Sequence, residues 1–156
     1  MFTKAIQDLY PPEWSHCYGC GVHNEKGHQL KSYWDGETVV AHFTPAQYYS
    51  GGVPDHIYGG LIASLLDCHG TASAAAFAYV EDGQELGDDV PAIRCVTASL
   101  KVDFKRPTPM GEALMLVGSL RSLEGRKIWV DLVLSAQGLV CAQGELLAIR
   151  LKESAS

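Results

Sequence analysis

An aspartate in the middle of an apolar helical segment is the residue of this chain that most suggests chemistry. Asp67 follows the apolar run Leu61–Leu66, where a carboxylate is costly to desolvate and caps no helix end. Gly59 and Gly60 lie just upstream, and glycines at a helix start leave N–H donors open to a ligand. A carboxylate and free N–H donors together suit acyl transfer, in which the donors stabilise an oxygen that becomes negative.

The spacing limits how these groups can act together. Eight residues of α-helix rise about 12 Å, so Asp67 and Gly59 of one chain cannot contact the same small atom. An extended substrate is needed, or a second subunit that supplies the other half of the site. The alternative interpretation is structural, with Asp67 on an exposed helical stripe and the glycines at a tight junction.

The elements around these residues predict an α+β domain. Asp35-Gly36 separates the strand-like runs 29–34 and 37–43 and predicts a hairpin. Leucines and alanines recur at spacings of three and four from Ile57 to about Val80 and predict one long helix. Four further strands are expected after it: Ile93–Phe104, Ala113–Leu123, Lys127–Ala136 and Val140–Leu151.

Short connections favour antiparallel neighbours, so these last four strands are expected to form a meander. A single long helix then has one sheet to pack against. We therefore expect a curved antiparallel β-sheet wrapped around one long central helix. Residues 1–156 form a single predicted domain, with an N-terminal extension and loop over 1–28 and a core over 29–151.

Charge and composition exclude several classes of protein. The net charge of −6 argues against a nucleic-acid partner. It is divided unevenly, with −9 over residues 1–90 and +3 over 91–156, so the second half could attract a phosphorylated ligand or simply be solvated. No uncharged run reaches the roughly 20 residues of a membrane span, and residues 1–8 lack the apolar core of a signal peptide. We therefore expect no membrane partner and a cytoplasmic protein.

The cysteines give a weaker signal for metal or redox chemistry. Cys17 and Cys20 have metal-ligand spacing, with His16 and His23 nearby, but no second pair of similar spacing follows. No βαβ pattern surrounds them, as a thioredoxin-like site would require. Cys68 is expected to be a packed thiol, and the predicted site contains neither metal nor cofactor.

Three segments resemble the hotdog-fold acyl-CoA thioesterases, specifically their PaaI-like branch. Tyr58–Asp67 (YGGLIASLLD) is similar to the His-Gly-Gly…Asp signature of that family. Cys17–Gly27 resembles the Cys-x-x-Cys-Gly…Asn-x-x-Gly opening of many relatives, and Phe104–Glu112 resembles the end of their strand after the helix. The segments occur in the family's order and together cover roughly residues 16–150.

The resemblance implies a hotdog fold and an active site formed across a homodimer, either alone or within a homotetramer. Asp67 then falls on the catalytic carboxylate, which acts as nucleophile or general base. Gly59 falls on the residue whose N–H contacts the thioester carbonyl, and Gly60 follows it in the site. Thr97 falls on a hydroxyl residue that assists from the partner subunit, with Ser99 as the next choice.

The substrate contacts are less regular. The family's usual His is Tyr58 here, and a histidine occurs two residues earlier as His56, so both are expected to contact substrate. Lys105 and Arg106 are expected to hold the phosphates of CoA, although a solvated surface position suits them equally well.

The expected reaction is hydrolysis of an acyl-CoA, or of an acyl-carrier thioester, to a free carboxylic acid and a thiol. Two alternatives remain. In an acyl-CoA hydratase or dehydratase, His56 and Asp67 would act as an acid/base pair. A non-catalytic acyl-CoA or acyl-lipid binding module would be consistent with Tyr58 in place of histidine. The sequence argues against a serine hydrolase, because neither Ser64 nor Ser73 lies in a Gly-x-Ser-x-Gly turn.

Overall fold

The long helix begins at Gly59 and packs against one face of a six-stranded sheet in the computed structural model, which describes residues 4–87 and 89–152. This helix, α1 (Gly59–Glu81), starts two residues later than predicted, because the Ile57 N–H donates to the Thr108 carbonyl of a neighbouring loop. Residues 1–3, 88 and 153–156 of the predicted domain lie outside the described residues.

Most side chains of α1 are buried. The helix is long and apolar enough to cross a membrane by length and composition, but 78% of its apolar window is buried inside the molecule. It contacts strands of the sheet along its length and also the 3-10 helix Ile6–Leu9 of the N-terminal segment. The sheet and this segment therefore account for its apolar surface.

The sheet is antiparallel throughout and has the strand order β1-β2-β4-β5-β6-β3. It is curved around α1 and is not closed into a barrel, as expected of a hotdog fold. Its strands are β1 (Tyr33–Trp34), β2 (Val39–Phe43), β3 (Cys95–Phe104), β4 (Leu114–Glu124), β5 (Lys127–Ala136) and β6 (Leu139–Arg150).

The predicted hairpin is confirmed. Trp34 pairs with Val39, and Gly36 has a φ of 105°, which favours glycine. The Asp35 carboxylate accepts the N–H groups of Glu37 and Thr38, which closes the turn between β1 and β2.

The predicted meander is correct only for β4, β5 and β6. Strand β3 pairs with β6 and lies at the edge of the sheet, not beside β4. The connection after β3 is not a hairpin, because it contains Pro107 and Pro109 and packs against the loop before α1, where Pro109 forms a bridge with His56. One edge of β3 is therefore left without a strand partner among the described residues.

A buried histidine connects the N-terminal segment to the core. The His69 ring on α1 is fully buried, and its Nε2–H donates to the Val39 carbonyl at 2.9 Å. Its Nδ1 accepts the Ser32 hydroxyl at 2.8 Å, and the Ser32 oxygen accepts the side-chain amide of Gln7. Burial lowers the pKa of His69 to about 4, so the ring is neutral near pH 7.

Candidate active site

Asp67 faces a surface depression, not the core of the molecule. Its side chain lies half-buried on α1 and lines a depression of about 290 Å³ at the start of β3. The Thr97 hydroxyl donates to Asp67 Oδ1 at 2.5 Å. Asp67 Oδ2 has no hydrogen-bond partner among the residues that the structure describes. One carboxylate oxygen is thus held in place, and the other is available to accept a proton or to attack a substrate.

Thr97 reaches Asp67 within one chain, and its expected assistance from the partner subunit stays a prediction. The start of β3 passes beside the middle of α1, so the two residues line the same depression. The register of β3 against β6 shifts between Thr97 and Ser99. Ser99 is exposed, and its hydroxyl makes no hydrogen bond to the described residues, so only Thr97 orients the carboxylate.

The two glycines supply the first two residues of α1. Tyr58 precedes them without capping the helix through its side chain, and its carbonyl accepts the N–H groups of Leu61 and Ile62. The N–H groups of Gly59 and Gly60 have no acceptor in the described part of the chain. They are therefore two available donors at the positive end of the helix dipole.

The Tyr58 ring lies against Gly60. A Cβ at this position would lie 2.3 Å from that ring, so a larger residue here would require the ring to move. The Tyr58 side chain is 58% exposed. His56 is exposed nearby and lines neither the Asp67 depression nor the one beside Gly59. The structure therefore does not bring His56 and Asp67 together as an acid/base pair in one chain.

Lys105 and Arg106 lie with Gly59 in a second depression, of about 410 Å³. The Phe104 ring, 55% exposed at the end of β3, forms part of its wall, and a Cβ on Gly59 would lie 3.4 Å from that ring. This depression shares no lining residue with the one around Asp67. One chain therefore carries the carboxylate and the helix-start donors in two separate places.

A hydrogen-bonded group that the sequence did not indicate joins the N-terminal segment to α1 at Ser64, one turn before Asp67. The His28 ring contacts the Tyr49 hydroxyl through Nδ1 at 3.0 Å and Ser64 Oγ through Nε2 at 3.2 Å. The Ser64 hydroxyl donates to the Leu61 carbonyl, so its oxygen accepts the His28 Nε2–H and His28 does not act as its base. Burial lowers the pKa of His28, which favours this neutral form.

Three thiols meet beside Asp67, and they are the residues of this site best suited to hold a metal. The Sγ atoms of Cys17, Cys20 and Cys68 all lie within 4.8 Å of one another. The sequence places Cys68 far from the other two, so spacing alone could not reveal the cluster. All three line the same depression as Asp67 and Thr97.

Comparisons with known proteins agree with this fold. A solved thioesterase superfamily protein from Shewanella loihica is 41% identical, over 94% of this chain and 99% of that one, with a TM-score of 0.69. The E. coli PaaI protein from the phenylacetic acid degradation operon is 21% identical, over 76% of this chain and 79% of its own, and its TM-score of 0.57 shows likeness of fold alone.

A curated relative extends the similarity to a named activity. The acyl-coenzyme A thioesterase THEM4 of Xenopus laevis is 29% identical over 93 residues, which are 60% of this chain and 35% of that protein. The chain thus spans about a third of the length of the curated relatives that it matches.

The model of the Thioesterase superfamily matches residues 55–142, more than half of the chain. The matched segment contains the glycines at the start of α1, Asp67 and the Thr97 strand. The chain therefore belongs to the thioesterase superfamily and has the hotdog fold of that family.

Proposed function

We propose that this protein hydrolyses acyl-CoA thioesters to a free carboxylic acid and CoA. The contact between Thr97 and Asp67 carries the proposal, because it fixes one carboxylate oxygen of a residue that lines an open depression and leaves the other without a partner among the described residues. Membership of the thioesterase superfamily and the acyl-coenzyme A thioesterase name of the THEM4 relative support the same substrate class.

In the proposed reaction, Asp67 acts through Oδ2. As a general base it accepts a proton from water while the water oxygen attacks the thioester carbonyl carbon. As a nucleophile it forms an acyl anhydride that water then hydrolyses. By either route the carbon–sulfur bond breaks, the acyl group leaves as the acid, and the thiolate sulfur takes up a proton. The Thr97 hydroxyl holds the carboxylate in the orientation that both routes need.

The oxyanion donor in this proposal is the Gly59 N–H of the partner subunit. Thr97 lies near the start of β3 and Phe104 at its end, and one edge of β3 has no strand beside it among the described residues. If two such edges pair antiparallel, the start of one β3 lies next to the end of the other. This pairing would bring the depression around Asp67 next to the partner subunit's Gly59. We therefore propose a homodimer as the smallest active unit, either alone or as one half of a tetramer.

The CoA part of the substrate is assigned to the depression beside Gly59. Lys105 and Arg106 line it, and two cations at a strand end suit the phosphates of CoA. An acyl-carrier thioester, which has one phosphate group on its prosthetic arm, would use this depression less fully. The cytoplasmic location expected from the sequence stays a prediction.

One alternative keeps a specific observation in its favour. Tyr58 stands where the family usually has histidine, and its ring lies over the start of α1. A non-catalytic acyl-CoA binding module would tolerate this change more readily than an enzyme. The hydratase alternative has less support, because His56 and Asp67 lie apart in one chain.

The test is loss of thioester absorbance for a panel of short, medium, long and aromatic acyl-CoAs, which avoids the thiol signal of the five cysteines. Asp67→Asn should lower kcat by a factor of about 10² to 10⁴, because it removes the base and leaves the shape. Asp89→Asn, an exposed change after α1, is the matched control and should leave kcat unchanged. Light scattering should show the same oligomer for all three proteins.

Two results would contradict the proposal. Full turnover by Asp67→Asn would remove Asp67 from the reaction. Saturable acyl-CoA binding without turnover of any member of the panel would favour the binding module.

A further inference from the structure

The thiol cluster beside Asp67 joins two parts of the fold that are distant in sequence. Cys17 and Cys20 belong to the N-terminal loop between Trp14 and Gly27, and Cys68 is a buried residue of α1. Cys17 Sγ and Cys68 Sγ are 3.6 Å apart, and the three sulfurs lie within 4.8 Å of one another. Neither Cys95 nor Cys141 belongs to this group.

The loop is shaped around these sulfurs. A Cβ on Gly19 would lie 2.3 Å from Cys68 Sγ, so glycine is needed where the loop passes over that thiol. A Cβ on Gly21 would lie 2.4 Å from the Cys17 nitrogen, so a second glycine is needed where the chain folds back. The Gly21 N–H donates to the Cys17 carbonyl at 2.8 Å and closes the turn. The Cys68 thiol beneath Gly19 and the backbone contacts at Gly21 therefore both set the position of the loop.

A backbone N–H contacts the sulfur of Cys17. The Gly19 N–H donates to Cys17 Sγ at 3.3 Å. Hydrogen bonds from neighbouring groups commonly fix the orientation of metal ligands, and this contact holds Cys17 Sγ in place within the cluster.

We propose that Cys17, Cys20 and Cys68 bind one Zn²⁺ ion, which fastens the N-terminal loop to α1 next to Asp67. In a tetrahedral site with Zn–S bonds of about 2.3 Å, neighbouring sulfurs lie about 3.8 Å apart. The Cys17–Cys68 separation of 3.6 Å is close to that value, and all three sulfurs lie within 4.8 Å of one another. Small rotations of the side chains would complete the geometry.

The arrangement fits a metal better than a disulfide. A disulfide joins two sulfurs at about 2.05 Å and would leave the third thiol unused, whereas zinc uses all three at similar separations. Three thiolates are soft ligands, which favour zinc over magnesium or calcium. Three protein ligands leave a fourth position for water, beside the depression that Asp67 lines.

The test measures metal in the full chain and does not depend on catalytic activity. The protein is produced in zinc-supplemented medium, purified under reducing conditions without chelator, and analysed by inductively coupled plasma mass spectrometry. We expect about one zinc per chain. Cys17→Ser and Cys68→Ser should each lower the content at least tenfold. Cys95→Ser is the matched control, because Cys95 lines the same depression outside the cluster, and it should retain the metal.

Two measurements on the unmodified chain keep the proposal testable if a variant fails to fold. After loading with Co²⁺, thiolate-to-metal charge-transfer bands should appear in the ultraviolet and disappear on addition of excess zinc. Chelation should make three further thiols reactive towards a thiol reagent.

The proposal is overturned if the reduced chain binds no zinc after dialysis against it. It is also overturned if Cys95→Ser loses as much zinc as Cys68→Ser. A mass lower by two hydrogens, with Cys17 in a disulfide after purification in reductant, would assign the cluster to redox chemistry instead.

Discussion

Protonation of His69 should make the fold less stable in mild acid. Its pKa is lowered by burial to about 4 in the folded chain, against an ordinary value of 6.5 for the unfolded one. Above pH 6.5 both states hold a neutral ring, and stability does not depend on this group. As the pH falls below 6.5 the unfolded chain takes up a proton that the folded chain resists, so stability is lost.

The loss can be worked out from the two pKa values. At about pH 5 the unfolded ring is almost fully protonated and the folded ring is about nine-tenths neutral, which corresponds to about 2 kcal/mol. The assay is urea unfolding followed by circular dichroism, at about pH 7.5 and at about pH 5, to obtain the free energy of unfolding. Because His69→Gln lacks the titrating ring, its free energy of unfolding should fall by about 2 kcal/mol less than that of the unmodified chain between these two pH values.

The control is His23→Gln on the exposed loop, which should keep the pH dependence of the unmodified chain. The reasoning is refuted if His69→Gln and the unmodified chain lose the same stability over this range. If His69→Gln does not fold, a nuclear magnetic resonance titration of the His69 ring answers the same question. The ring should remain mostly neutral at pH 5, and a midpoint near 6.5 would contradict the explanation.

Two further predictions concern the reaction. Thr97→Val removes the hydroxyl that holds Asp67 and should lower kcat/KM by about 10- to 100-fold, whereas Ser99→Ala should change it by less than about twofold. Equal effects of the two changes in steady-state assays would exclude orientation by Thr97. The double change Lys105→Ala and Arg106→Ala should raise KM for an acyl-CoA by about 10-fold and leave KM for the matching acyl-pantetheine unchanged. An equal rise for both substrates would show that these cations do not bind the CoA phosphates.

Much of the fold could be predicted because its signals are local. The Asp35-Gly36 turn, the periodicity of α1 and the short turns between β4, β5 and β6 each depend on residues close together in the chain. The position of β3 could not be found in this way. Its pairing with β6 is set by distant contacts, and the preference of short connections for neighbouring strands pointed to β4 instead.

The candidate site likewise combines residues that the local sequence predicts with contacts that only the fold creates. Asp67 was identified from its unusual place in an apolar helix, which is a property of the local sequence. Its contact with Thr97 inside one chain follows from the position of β3, which local patterns do not reveal. The meeting of Cys68 with Cys17 across 51 residues, and of His28 with Ser64 across 36, likewise depends on packing that no spacing rule describes.

The edge position of β3 has a consequence for the order in which the protein folds. Strands β4, β5 and β6 can pair through short turns, but β3 must close a long loop before Thr97 can face Ala148. Loop closure of this length costs entropy before any contact repays it, so docking of β3 should come late. Its amides should exchange with solvent hydrogen sooner than those of β5, which has a strand on each side. The reactive carboxylate would then acquire its orienting hydroxyl only in the last step of folding.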